Sequence, residues 1–213
     1  MKKRINLYIG IFSLIAFIVW TVLVKFVDLA PIGPNASYVG FSSINGPFHN
    51  LTGVNFTIYD ITDWLGFVTI FIMVCFFAFG LYQLIKRKGI SKVDFNILML
   101  GVFYLATLTV YVLFEFVVIN RRPVLINNIL EASYPSSTTL LALCVVPTAI
   151  MQLKSRIKQK TLRICVIVAL LCFMSFMVIG RIISGVHWIT DIIGGALISV
   201  SLVSFYSCVC KFD

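Results

Sequence analysis

Charge is the scarcest commodity in this chain. Only 12% of its 213 residues are Asp, Glu, Lys or Arg, 60% are hydrophobic, and the mean hydropathy is +1.03. A water-soluble domain of this length needs more polar surface than that to cover its core, so lipid is the expected solvent. Long polar stretches, internal repeats and low-complexity tracts are lacking too, which leaves no room for a soluble domain. Strict alternation of polar and apolar residues is also missing, and with it the signature of a membrane β-barrel.

What is present is a series of apolar runs, each near the roughly 20 residues that a helix needs to cross a bilayer. They fall at about 5–27, 64–85, 95–119, 138–153, 162–179 and 188–210. The expectation is an all-α integral membrane protein, a single membrane domain over residues 1–213 built as a six-transmembrane-helix bundle. The fourth run is the shortest.

Basic residues flanking spans tend to stay cytoplasmic. With six spans, all but four of the 17 Lys and Arg residues share one side, and both termini are expected to be cytoplasmic. The net charge of +9 reads as this topology signal, reinforced by anionic headgroups, rather than as nucleic-acid binding. The first run follows Lys2, Lys3 and Arg4 but is longer than a signal-peptide core, so it reads as retained. All six cysteines lie in or beside the runs without disulfide or metal-ligand spacing and serve as apolar fillers.

The longest connection, 28–63, is extracytoplasmic on this topology. It carries turn signals at Gly33-Pro34-Asn35 and Asn45-Gly46-Pro47 and could serve as a lid or entrance. Trp20, Trp64 and Trp188 fall toward span ends, as interfacial anchors do. Gly194, Gly195 and Ala196 allow close helix approach within the bundle.

The four cations that break the charge rule are Lys25, Arg121, Arg122 and Arg181. The last three lie in two loops that also hold His187, and ionisable groups at such depths are costly and usually functional. His187 and Asp191 stand four apart, on one face if the segment is helical. The carboxylate could then orient the imidazole and leave its other nitrogen free as nucleophile or base. A helix-capping Asp beside a structural His is the bland alternative; Arg181, suited to a phosphate oxygen, tips the balance. Between the third and fourth runs come Arg121-Arg122-Pro123 and then Pro135-Ser136-Ser137-Thr138, a helix N-terminus able both to cap itself and to bind an anion.

In order and spacing, Arg122-Pro123, then Pro135-Ser136 opening a helix, then Arg181, His187 and Asp191 resemble the type 2 phosphatidic acid phosphatase (PAP2) family of membrane phosphatases. The resemblance implies that His187 attacks phosphorus and is transiently phosphorylated, and that Asp191 orients it. Arg122 and Arg181 would clamp the phosphoryl oxygens, with Ser136, Ser137 and nearby backbone amides as further donors. Neither a metal nor another cofactor is implied.

Two motifs depart from the family pattern. Its first-motif Lys is replaced by Glu115, and its second-motif Gly-His by Ser137-Thr138, so a cation and a general acid are missing. Loss of the acid favours lipid diphosphates such as polyprenyl diphosphate, whose leaving group is already a weak base. Glu115 could instead pair with Arg121 or Arg122, or act as the missing acid; His49 is a further candidate. Arg121 and Thr138 are possible accessories.

The expectation is therefore a lipid phosphate or diphosphate phosphatase at the extracytoplasmic face of a plasma membrane, by resemblance a bacterial one. The alternatives are an inactive relative that binds lipid phosphates or a partner, and a small transporter component. The partners expected are a membrane lipid and the bilayer, with no nucleic acid; the oligomeric state is not legible.

Overall fold

A backbone in hydrocarbon must satisfy its own hydrogen bonds, and the chain does so as helices. The computed structural model describes residues 2–210. Its helices are α1 (Lys2–Phe26), α2 (Ser42–Thr52), α3 (Phe56–Arg87), α4 (Phe95–Phe116), α5 (Ser137–Arg156), α6 (Lys160–Ile183) and α7 (Ile189–Val209), with short 3-10 turns at Pro34–Ala36 and Ile90–Lys92. Six are long and apolar enough to cross a membrane; α2 is not. Both ends of the described chain lie together, where the Asn6 amide donates to the Ser207 hydroxyl at 2.9 Å.

The weak fourth run has a structural explanation. Helix α5 packs against α3, α4, α6 and α7. Of its membrane-length window 61% is buried inside the bundle, against 6% for α6. A helix shielded from lipid can carry polar groups, and α5 buries Thr139, Thr148 and Gln152.

The connection that reads as a loop from 28 to 63 is largely helical. Helix α3 begins at Phe56, because the Asn55 side chain caps the Ile58 amide at 3.0 Å. Helix α2 forms despite Gly46 and Pro47, its first turn capped through space by Asp28, whose carboxylate accepts from the Ser43 amide (2.8 Å) and from both the Ser42 and Ser43 hydroxyls. Those bonds hold the Asp28 carboxyl below the usual range. Asn45 fastens α2 to α7 by donating to the Thr190 hydroxyl at 3.0 Å.

Of the three tryptophans, only Trp64 is exposed as an interfacial anchor would be. The Trp20 and Trp188 indoles instead donate to the carbonyls of Thr190 and Arg121, tying elements together at the α2 end of the bundle.

Between α4 and α5 a strap (117–136) doubles back on itself. Its limbs are joined by bonds from Arg122 N to Glu131 O and from Ser133 N to Asn120 O, and its tip turns at Asn127 and Asn128 with positive φ. The strap packs on α7 through Tyr134, whose ring lies so close to Gly194 that a Cβ there would sit 2.5 Å from it. Gly194→Ala should therefore cost about 1–3 kcal/mol, the usual range for overpacking. The check is a lowered thermal midpoint in detergent together with reduced activity, because the strap carries site residues; an unchanged midpoint would mean the strap yields freely.

Candidate active site

Four elements meet at the α2 end of the bundle: α3, the strap, the C-terminal end of α6 and the turn into α7. His187 sits in that turn and is 5% exposed. The turn is pinned by Asn55 N donating to Ser184 O at 2.9 Å, and by Gly185, where a Cβ would meet the Gly53 carbonyl oxygen at 1.8 Å.

The partners of His187 define its proton. Nδ1 faces the Ser133 carbonyl oxygen at 3.1 Å, which can only accept, and Nε2 faces Arg122 Nη1 at 3.3 Å, which can only donate. The ring is therefore neutral, with its proton on Nδ1 and a lone pair on Nε2. Burial, then the positive charges of Arg122 and Arg181, hold its pKa well below the ordinary histidine value of 6.5.

Asp191 does not accept directly from the imidazole. Its Oδ2 lies 3.8 Å from Nδ1 and accepts instead from the Trp188 amide (2.9 Å) and the Ser133 hydroxyl (2.7 Å). The reason is local. Trp188 is the N-cap of α7, so His187 precedes the helix and does not share its face with Asp191. The carboxyl both caps α7 and lies within electrostatic reach of the ring.

The two clamp candidates converge on one aromatic ring. The guanidinium carbons of Arg122 and Arg181 lie 5.8 and 4.8 Å from the Tyr59 ring centroid. Arg181, 1% exposed, bonds Asp63 through Nη2 at 2.8 Å, while its Nε and Nη1 have no partner. Arg122 pairs through Nε with Glu131 at 3.0 Å. The anticipated salt bridge from Glu115 is thus not formed, since the strap brings Glu131 to Arg122 instead.

The remaining sequence candidates separate. Ser136 is buried, its hydroxyl accepting from Thr139 at 3.0 Å and its amide donating to the Asp191 carbonyl at 3.1 Å. Ser137 and Glu115 line a small opening together with His187 and Arg122. Thr138 follows in the first turn of α5. Arg121 turns outward, its Nη1 donating to the Leu130 carbonyl. His49 leans on Trp188 with ring centroids 5.4 Å apart, does not line the opening, and is held below its ordinary pKa by burial.

Sequence reasoning passed over Ser133, Tyr59, Asp63 and Glu131. Starting the second span at Trp64 hid Tyr59 and Asp63. An acidic residue four after a tyrosine at the head of an apolar run was the available signal.

A His kept neutral by the fold makes stability depend on pH in a fixed direction. Below about pH 6.5 the unfolded chain binds a proton that the folded one refuses, so stability falls as pH drops. The His187 share of that loss is at most about 1.4 kcal/mol per pH unit, the value for one proton. Thermal midpoints of the wild type between pH 7 and 5 should fall more steeply than those of His187→Asn, and parallel curves would contradict the buried neutral ring.

Comparison with known proteins points the same way. Residues 116–211 match the model of the PAP2 superfamily. The chain also superposes on the crystal structure of the first transmembrane PAP2 type phosphatidylglycerolphosphate phosphatase from Bacillus subtilis, with a TM-score of 0.62 and 19% sequence identity, covering 97% of this chain and 100% of that one. That likeness establishes a shared fold. No curated protein matches the sequence.

Proposed function

We infer that this chain, whose residues 116–211 match the PAP2 superfamily model, is a membrane phosphatase that hydrolyses lipid phosphates through a phosphohistidine at His187 and prefers lipid diphosphates. One observation carries the reading: a neutral His187 presents the Nε2 lone pair toward Arg122, beside a buried Arg181 with two unpartnered N–H positions.

The chemistry follows from those groups. A phosphoryl oxygen is a stronger acceptor than an imidazole nitrogen, so an arriving phosphate draws the Arg122 guanidinium away from Nε2 and frees its lone pair. That pair forms the P–N bond as the P–O bond to the lipid moiety breaks, while the Nδ1 proton stays on the ring and donates to Ser133 O. The carboxyl of Asp191, 3.8 Å away, faces the positive charge that develops on the ring. Arg122 and Arg181 hold the equatorial oxygens, and positioned cations of this kind supply most of the stabilisation in phosphoryl transfer. The free amides at the start of α5, next to Ser137, add an anion-binding end.

Substrate preference follows from the leaving group. A lipid diphosphate expels a phosphate monoester whose second pKa is about 6, so it leaves without a proton. A monophosphate expels an alkoxide, for which a general acid typically contributes about 10²- to 10⁴-fold.

Purified protein should therefore release phosphate from polyprenyl diphosphate faster than from dialkylglycerol monophosphate. His187→Ala should fall to background, and Arg122→Gln should lose on the order of 10²- to 10³-fold. Absence of release from any lipid would favour a non-catalytic binder of lipid phosphates, and a faster monophosphate would overturn the leaving-group argument.

The charge asymmetry supports an extracytoplasmic position for this end of the bundle. In a background freed of native cysteines, Asn127→Cys at the strap tip should react with a membrane-impermeant maleimide on intact cells, while Lys158→Cys should not. The reverse pattern would invert the topology.

A further inference from the structure

On the phosphatase reading, the group that protonates an alkoxide leaving oxygen is still unassigned. The carboxyl groups near the two clamp arginines are Asp63, Glu131 and Glu115. Asp63 is committed to Arg181 at 2.8 Å and Glu131 to Arg122 at 3.0 Å. A proton on either would break the ion pair that orients a clamp arginine. Glu115 has no ion pair and no hydrogen bond among the described residues, yet it lines the same opening as His187, Arg122 and Ser137. Arg122 is permanently a cation and Ser137 holds its proton too tightly to be an effective acid.

Position supports the assignment. Glu115 lies in the last turn of α4, where Val112, Leu113 and Phe116 are exposed on the outside of the bundle. An alkyl chain lying in the bilayer along that wall would place its oxygen at the opening from the side of Glu115.

We propose that Glu115 is the proton donor to the leaving oxygen and is what gives this site its monophosphate activity. This role rests on the phosphohistidine reading. In the first step His187 Nε2 forms the P–N bond, the P–O bond breaks, and its electron pair takes the proton from the Glu115 carboxyl, giving the lipid alcohol and a carboxylate. In the second step, common to both substrates, a water oxygen bonds to phosphorus as the P–N bond breaks, its protons leave with the phosphate, and solvent returns a proton to the Glu115 carboxylate. Inorganic phosphate leaves, and His187 and Glu115 return to their starting states. A diphosphate needs no proton in the first step, so it remains the faster substrate and depends less on Glu115.

The test uses wild type, Glu115→Gln, Glu115→Asp and His187→Ala, purified in detergent, on dialkylglycerol monophosphate and polyprenyl diphosphate. Glu115→Gln should lower kcat on the monophosphate by about 10²- to 10⁴-fold and on the diphosphate by less than about tenfold. Glu115→Asp should recover part of the monophosphate rate. Equal losses on both substrates, no loss on either, or a wild type that cleaves the diphosphate alone would overturn the role of Glu115. A wild type inactive on both, or a His187→Ala variant as active as wild type, would overturn the phosphohistidine reading and this role with it.

Discussion

The site depends on one buried carboxyl group, that of Asp191. Its Oδ2 takes the Trp188 amide, closing the N-terminus of α7, and the Ser133 hydroxyl, which anchors the strap. The Asp191 carbonyl meanwhile accepts from the Ser136 amide at the head of α5. One residue thus joins α7, the strap and α5, and His187 is placed by all three. Removing the carboxyl would strand a buried amide and a buried hydroxyl, at about 1–3 kcal/mol each. Asp191 is therefore the cap of α7 and, on the proposed phosphatase reading, the orienter of His187 as well, acting through Ser133, whose carbonyl faces Nδ1.

Two like charges near one histidine and one tyrosine ring form a second constraint. Arg122 and Arg181 would repel each other in a poorly solvated pocket, and each is balanced by a carboxylate from outside the recognisable motif residues. The division of donors matters: Asp63 takes only Nη2 of Arg181, and Glu131 takes only Nε of Arg122. Nε and Nη1 of Arg181 are left without a partner, while Arg122 Nη1 faces His187 Nε2. The Tyr59 ring, which both guanidinium groups approach, adds cation–π attraction without offering an acceptor strong enough to compete with phosphate. Each guanidinium group is thus met by one carboxylate.

How much of this was legible follows from which interactions are local. Spans are local, since apolar length alone specifies a membrane helix, and all six candidates fall where the apolar runs lie. Helix α2 was hidden because its cap, Asp28, is 14 and 15 positions from the serines it serves, and Gly46 and Pro47 argue against a helix. The Arg181–Asp63 pair joins residues 118 apart and the Ser133–Asp191 bond residues 58 apart. No spacing rule reaches across such distances. Motif order could bring Arg122, His187 and Asp191 into one neighbourhood, but only the fold could show that His187 precedes its helix and that Arg122 chooses Glu131 over Glu115.

The polar residues of α5 explain why a site built largely from loops can be held in place. At the opposite end of the bundle Arg156 donates to Gln152 Oε1 at 2.6 Å and pairs with Asp94 at 3.3 Å, while Gln83 and Arg87 reach the same Asp94 at 2.8 Å. Gln152 also donates to Tyr206 on α7. These bonds run among α3, the turn before α4, α5 and α7, with Gln83, Gln152 and Tyr206 buried and Arg87 and Asp94 reaching the surface. Between the two ends α5 sits inside the bundle, and its Thr148 hydroxyl is spent on its own helix at the Cys144 carbonyl. Lateral freedom of the central helix is thus removed at the basic end, and its N-terminus, with Ser136 as the cap and Ser137 in the first turn, is presented to the strap and to α7 from a fixed base. The outer helices α3 and α6 face lipid along their spans and give the site only their ends, Tyr59 and Asp63 from α3 and Arg181 from α6, around the polar axis they enclose.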